Sequence, residues 1–152
     1  MNLNDAEALT LRTMRKHGLT EKTGWRFRFD QAFQRLGCVR GWKRVRGGTI
    51  QLSRDRVLMM KREYVLEVIL HEIAHALVGL HHGHNDVWRA KALELGANTQ
   101  PTFGKTLPAY MIDPEFVTEC RQRARARGRE SDFLHDVTRL MGGWVELDRA
   151  RR

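Results

Sequence analysis

The chain has 152 residues and a mass of 17.7 kDa, and 41% of its residues are hydrophobic. This size and composition suit one compact domain and exclude a chain that is disordered throughout. No apolar stretch is long enough to cross a membrane, and the first residues lack the basic and apolar segments of a secretory signal. We therefore expect a cytoplasmic protein that does not contact membranes.

Basic residues outnumber acidic ones, 27 against 18, so the net charge is +9 at pH 7. Such a surface attracts polyanions, and nucleic acid is the commonest polyanion inside cells. We expect a nucleic-acid partner, bound through its phosphates without sequence preference. The alternative is that the charge only keeps the chain soluble. The two cysteines, Cys38 and Cys120, are too few for a disulfide framework or a four-cysteine zinc ribbon.

The first predicted element is a helix over residues 4–17. Asn4 and Glu7 form a capping-box pattern at its start, and Gly18 supplies a stop. Three short strands follow, because apolar residues alternate with polar ones and turn residues separate the runs. The strands are expected to form a small antiparallel sheet over residues 25–30, 36–42 and 48–53. Its buried aromatic side chains are expected to be Trp25, Phe27, Phe29 and Trp42.

Helices are predicted after the sheet, from apolar residues at three- and four-residue spacing and from capping residues. Their predicted limits are Glu63 to Gly79, Asn85 to Gly96, Asp113 to Gly128, and Ser131 to Gly142. An N-terminal helix, a small sheet and then further helices indicate the α+β class. We expect one domain over residues 1–100 and a basic, mostly helical extension over residues 101–152. On that extension Arg121, Arg125 and Arg129 are predicted to share one helical face that suits phosphate contacts.

The stretch HEIAHALVGLHHGH, residues 71–84, contains five of the seven histidines. Residues four apart lie on the same face of a helix, so His71 and His75 can bind one metal ion. Glu72 lies between them, where it can act as a general base without binding the ion. Unpaired imidazoles and a carboxylate would be costly on so apolar a helix, which favours a metal site over a chance pattern.

A catalytic zinc ion takes three protein ligands and keeps one position for water, so one further histidine is needed. In the spacing of the metzincin peptidases, a glycine follows the second histidine at three residues and the third ligand at six. Here Gly79 comes one residue late, so His81 and His82 each satisfy only part of that spacing. The third candidate is His84, directly before the predicted N-cap. Trp88, four residues later, can pack beneath the site.

The segment LEVILHEIAHALVGLHHGHNDVWRAKALELGA resembles the SprT/Spartan family of zinc metallopeptidases, and the resemblance extends over roughly residues 5 to 100. The family pattern is H-E-x-x-H, a short loop, and a histidine followed four residues later by an aromatic. The resemblance implies His71, His75 and His84 as ligands of one Zn²⁺ and Glu72 as the catalytic residue. Many relatives continue into a cysteine-rich zinc ribbon, but residues 99–152 contain only Cys120.

This resemblance implies a zinc metallopeptidase that hydrolyses peptide bonds of proteins bound or crosslinked to DNA. An extended substrate peptide is expected to pair with a sheet edge, at residues 48–53. Two alternatives belong to other classes. One is a nucleic-acid-binding protein with a structural or vestigial zinc site. The other is a metzincin-like peptidase with no DNA role.

Overall fold

The structure is a computed structural model that describes residues 1–32, 34–41, 46–99 and 107–129. Trp42 and the helix predicted from Ser131 lie outside these residues. The helices are α1 (Leu3–Lys16), α2 (Arg54–Met59), α3 (Arg62–Val78), α4 (Asp86–Leu95) and α5 (Pro114–Ala126). The strands are β1 (Trp25–Asp30), β2 (Gly37–Gly41) and β3 (Gly48–Ser53). The α+β class predicted from the sequence is therefore confirmed.

Helix α1 begins two residues earlier than the capping pattern suggested. Its N-cap is Asn2, whose side chain accepts a hydrogen bond from the Asp5 N–H at 2.9 Å, so the predicted role of Asn4 is wrong. Both asparagines precede an acidic residue by three positions, and such a pattern does not tell which of them adopts the extended N-cap backbone. Gly18 follows the helix with a φ of 74°, as a stop residue should.

Strand β3 lies in the centre of the sheet, whose order is β1-β3-β2. It pairs antiparallel with β2 and parallel with β1, so the predicted all-antiparallel sheet is wrong and the sheet is mixed. The connection from β1 to β2 passes the end of β3, where the Ser53 N–H donates to the Leu36 carbonyl at 2.8 Å. Alternating side chains predict which face of a strand is buried, but not which strand it pairs with.

One face of the sheet packs against α1 and α3 and forms the main core. Ile50 and Leu52 of β3 meet Ile69 and Ile73 of α3 there, and all four are fully buried. Burying a side chain of this size stabilises the fold by about 1.5–3 kcal/mol. The predicted aromatic residues of β1 lie on this face. The opposite side of α3 packs against α4, so α3 is enclosed from two directions.

Residues after position 100 also contribute to the main core. Leu107, Met111 and Val117 are buried in it, and Ile112 forms an isolated β-bridge with Met60. The domain limit at residue 100 and the nature of the extension stay predictions. Among the helices of the described ranges, none is long and apolar enough to cross a membrane.

Candidate metal centre

Helix α3 carries the three residues of the histidine-glutamate motif into the interior. His71 and Glu72 are each 5% exposed and His75 is 9% exposed, because the sheet packs on one side of the helix and α4 on the other. The ring centroids of His71 and His75 lie 5.0 Å apart, as expected for residues one turn apart. The enclosed helix therefore presents both imidazoles on the same side.

The connection from α3 to α4 brings His84 back to these two rings. Gly79 ends α3 with a φ of 99°, and Gly83 adopts a φ of 53° directly before His84. Such conformations favour glycine and let the chain reverse within a few residues. The side chain of Asn85 then accepts hydrogen bonds from the backbone N–H groups of Val87 and Trp88, and so caps α4. His84 is thus held between a glycine turn and a helix cap.

The ligand atoms of three histidines converge on one point. The Nε2 atom of His84 lies 3.1 Å from Nε2 of His75 and 3.1 Å from Nε2 of His71. All three ligand atoms lie within 4.8 Å of one another. Tetrahedral zinc with Zn–N bonds of about 2.0–2.1 Å would separate two imidazole nitrogens by about 3.3 Å. The three histidines fit a zinc ion, because one cation could accept a lone pair from each of the three Nε2 atoms.

The side chains of His81 and His82 make contacts outside the cluster of His71, His75 and His84. The Nδ1 atom of His82 lies 3.2 Å from the side-chain amide nitrogen of Asn85, and the His81 ring packs on the His82 ring with centroids 4.1 Å apart. The His81 ring also lies over Gly79, where a Cβ atom would meet its Cε1 at 2.8 Å. Of the three candidates for the third ligand, the structure places His84 beside His71 and His75.

Trp88 forms the floor beneath all three rings. It is fully buried, and its ring centroid lies 4.6 Å from that of His71, 5.1 Å from that of His75 and 4.5 Å from that of His84. The contact with His75 is stacked, and the other two are edge-on. The predicted packing of Trp88 under the site is therefore confirmed. Its side chain leaves the imidazoles little freedom to turn away from one another.

Burial also sets the protonation of the cluster. It lowers the pKa of His71 to about 3 and that of His75 to about 4, with further lowering from the neighbouring imidazoles. Both rings are therefore neutral at pH 7 and have lone pairs available for a cation. Burial raises the pKa of Glu72 to about 8, and the charge of Arg35 opposes that rise. A cation among the histidines would lower this pKa toward neutrality, where a general base works best.

Strand β2 closes one side of the site, which the motif alone did not reveal. A Cβ atom at Gly37 would lie 2.8 Å from Oε1 of Glu72, so the backbone of β2 approaches the carboxylate more closely than any larger residue allows. Arg35, two residues earlier, forms an ion pair with Asp30. A glycine inside a predicted strand often marks such a close approach, and Gly37 carried that signal.

The site has a buried side and an open side. Glu72 and His71 lie deep beside β2 and Trp88, whereas His84 is exposed to solvent. A ligand could therefore reach the cluster from the side of His84. Three converging imidazoles, an adjacent buried carboxyl group and one accessible side are the components that metal-assisted hydrolysis requires.

Comparison with known proteins agrees with this geometry. A family model described as the SprT-like family matches residues 7–109, which is more than half of the chain. The matched range contains all three histidines, Glu72 and the whole sheet. Neither the curated proteins nor the solved structures include a significant match. The match is consistent with a zinc metallopeptidase-like domain. The chain therefore belongs to the SprT-like family.

Proposed function

We propose that this protein is a zinc-dependent peptidase that hydrolyses peptide bonds of protein substrates. His71, His75 and His84 are the zinc ligands, and Glu72 is the catalytic residue. The observation that carries the proposal is the convergence of three Nε2 atoms beside a buried carboxyl group on the same helix. A purely structural zinc site fills all four positions with protein ligands, whereas only three ligand groups converge in the described part of the chain.

A zinc ion held by three imidazoles acidifies water and polarises a peptide carbonyl when it is bound. Glu72 accepts the proton of the attacking water and then donates it to the nitrogen of the leaving amine. Because residue 37 is a glycine, the backbone of β2 packs against the Glu72 carboxylate and restricts the orientation of that side chain. Trp88 restricts the three imidazole rings. The protein thus contributes a positioned base and preorganised ligands.

An extended substrate peptide pairs with β2 in this proposal. The edge predicted from the sequence, residues 48–53, is β3, which is the central strand and has neighbours on both sides. That prediction is wrong. Strand β2 pairs on one side only within the described part of the chain, and its Gly37 touches Glu72. Pairing along β2 would recognise the peptide backbone and would give loose sequence preference.

The substrates are proteins held on DNA in this proposal. The net charge of +9 supports it, together with the arginines that follow Glu119 on α5. Arg123 and Arg125 of α5 are exposed. Helix α5 ends at Ala126, so the prediction that Arg129 shares a helical face with Arg121 and Arg125 is wrong. A peptidase with loose sequence preference gains selectivity when its substrate is brought to it on a scaffold.

Removal of the metal tests the chemistry. We expect the purified protein to contain one zinc ion per chain and to cleave casein and histone. We expect 1,10-phenanthroline to abolish cleavage and added zinc to restore it, because the three imidazoles alone cannot polarise a carbonyl. The measurement is metal content by mass spectrometry beside cleavage on gels. A zinc-loaded protein that cleaves neither substrate would contradict the proposal.

The DNA role has a separate readout. We expect histone cleavage to rise when duplex DNA is added and to lose this rise at high salt, because phosphate contacts weaken as salt increases. Casein does not bind DNA and serves as the matched substrate. Equal stimulation of both substrates, or of neither, would speak against DNA as the scaffold.

Gly37→Ala tests the contact between β2 and Glu72. The new Cβ atom would meet Oε1 at 2.8 Å, so the carboxylate or the strand must move. We expect kcat to fall by about 10²-fold, as for other displacements of about 1 Å, with unchanged zinc content.

Gly41→Ala is the matched control on the same strand. Among the described residues, a Cβ atom there would meet only Cδ1 of Leu80, at an ordinary distance of 3.5 Å. We expect a much smaller change in kcat for this variant. Equal losses in the two variants would show that β2 tolerates no methyl group anywhere, and would remove the specific role of Gly37.

A further inference from the structure

The face of the sheet that points away from α1 and α3 carries a cluster of arginines. The register places Arg26, Thr49 and Arg40 in one row across β1, β3 and β2. The next row contains Arg28, Gln51 and Cys38. Because side chains alternate along a strand, these residues lie opposite the aromatic residues of β1 that pack in the core. We call this surface the outer sheet face.

The outer sheet face is strongly positive. Arg26, Arg28 and Arg40 are all exposed. Asp30 is the one acidic residue among the strand residues of this face, and it is paired with Arg35. Strand geometry separates the arginine Cα atoms by about 7 Å along β1 and about 10 Å from β1 to β2. These spacings are close to the Debye length, which is about 8–10 Å at ordinary ionic strength. Salt therefore screens the three positive charges only in part, and their electrostatic potentials add.

The middle of the outer sheet face is polar and contains no aromatic side chain from the three strands. Gln51 is 1% exposed, and its Oε1 accepts a hydrogen bond from the Cys38 thiol at 3.3 Å. Its amide nitrogen has no hydrogen-bond partner in the described structure. Proteins that bind single strands stack the bases on aromatic side chains, and none of the described strand residues of this surface is aromatic. Arginines on a flat polar sheet match phosphates instead.

We propose that the outer sheet face binds the sugar-phosphate backbone of duplex DNA. Arg26, Arg28 and Arg40 each contact a phosphate, and no base is read. This inference rests on the proposed DNA role and assigns it to a surface other than the arginines of α5.

The position of β2 connects this surface with the candidate metal centre. Arg40 projects from the outer face of β2, whereas Gly37 on the inner face touches Glu72. The edge of the same strand that has no neighbour in the described part of the chain lies between the two faces. DNA on the outer sheet face therefore runs past the edge at which a peptide would pair. A protein attached to that DNA is brought to the site without any contact between DNA and the metal.

The test is a binding titration with matched charge variants. The probe is a fluorescein-labelled 20-base-pair duplex of mixed sequence, and the readout is anisotropy at several salt concentrations. The sheet variant is R26Q/R28Q/R40Q. The control variant is R12Q/R62Q/R89Q, which removes the same charge from exposed positions on α1, α3 and α4. Zinc content and thermal unfolding show that each variant is folded.

On a plot of log affinity against log salt concentration, we expect the negative slope of the sheet variant to be smaller in magnitude than that of the wild type by about 2.7. Each phosphate that the variant no longer neutralises accounts for about 0.9 of this difference. At 0.1 M salt this corresponds to a decrease in affinity of about 500-fold, when the affinities of the variant and the wild type are taken to converge at 1 M salt. The control variant should retain nearly all of the wild-type slope. Zinc content should be unchanged in the sheet variant, because its three arginines lie outside the metal centre.

Several results would overturn the inference. Equal decreases in affinity for both variants would mean that only net charge matters. An unchanged affinity of the sheet variant would place the DNA elsewhere, and tighter binding of the single strand than of the duplex would contradict backbone recognition. Absence of duplex binding by the wild type would refute the inference altogether. Failure of the peptidase proposal would leave these titrations intact, since they require no cleavage.

Discussion

Replacement of Glu72 by glutamine is expected to lower kcat for casein by about 10²- to 10⁴-fold, the range usually contributed by a general acid-base residue. Glutamine has nearly the same shape but cannot accept the proton of the attacking water. Because Glu72 lies beside the ligands rather than among them, zinc content should stay at one ion per chain. The measurements are initial cleavage rates and metal analysis of the same preparation.

Glu63→Gln is the control for this substitution. Glu63 lies in the first turn of the same helix and is exposed, so its replacement removes one carboxylate from α3 without touching the site. We expect wild-type kcat for this variant. Cleavage by Glu72→Gln at the wild-type rate would refute the assigned chemistry. Loss of zinc from Glu72→Gln would indicate that the carboxylate is a ligand instead.

Replacement of His84 by alanine has the second largest expected effect, the loss of bound zinc. Substitution of a residue that only orients a metal ligand already lowers metal affinity by about 10- to 100-fold, and removal of a ligand itself should lower it further. His84 is the one of the three imidazoles that lies in a connection rather than on α3. Its removal leaves two ligands on one helix, too few for a stable site. Metal content after gel filtration measures the effect.

Thermal unfolding gives an independent readout of the same prediction. A ligand present at 100 times its Kd stabilises the native state by about 2.7 kcal/mol. Added zinc should therefore raise the Tm of the wild type and of the His81→Ala and His82→Ala variants, but not that of His84→Ala. The two control histidines are neighbours in sequence with contacts of their own. Zinc loss in His82→Ala alone would identify His82 as the ligand.

Features governed by nearby residues were predictable from the sequence. Asn85 caps α4 and Gly96 ends it, as expected, because capping depends on a few adjacent backbone groups. The pair of His71 and His75 follows from helix geometry in the same way. Helix α2 was missed, because six residues are too few to show a helical period.

Features that depend on distant segments were not predictable in this way. The parallel pairing of β1 with β3 joins residues that are separated in the chain by strand β2. Alternation of side chains is equally compatible with either neighbour. Spacing left three histidines as candidates for the third position, and only the resemblance favoured His84. The contact between Gly37 and Glu72 joins a strand and a helix 35 positions apart. The glycine within the predicted strand indicates a close approach, but no local pattern identifies Glu72 as the group that approaches.

An edge strand that is open to a substrate peptide is also open to a second copy of the same chain. Exposed edges of this kind promote aggregation, and natural proteins protect them by shortness and charge. Strand β2 has five residues, begins and ends with glycine, and carries the exposed Arg40 next to its end. Glycine lowers the tendency to extend a sheet, and two approaching copies would bring like charges together. The composition of β2 therefore discourages self-association at the edge that we propose for the substrate peptide.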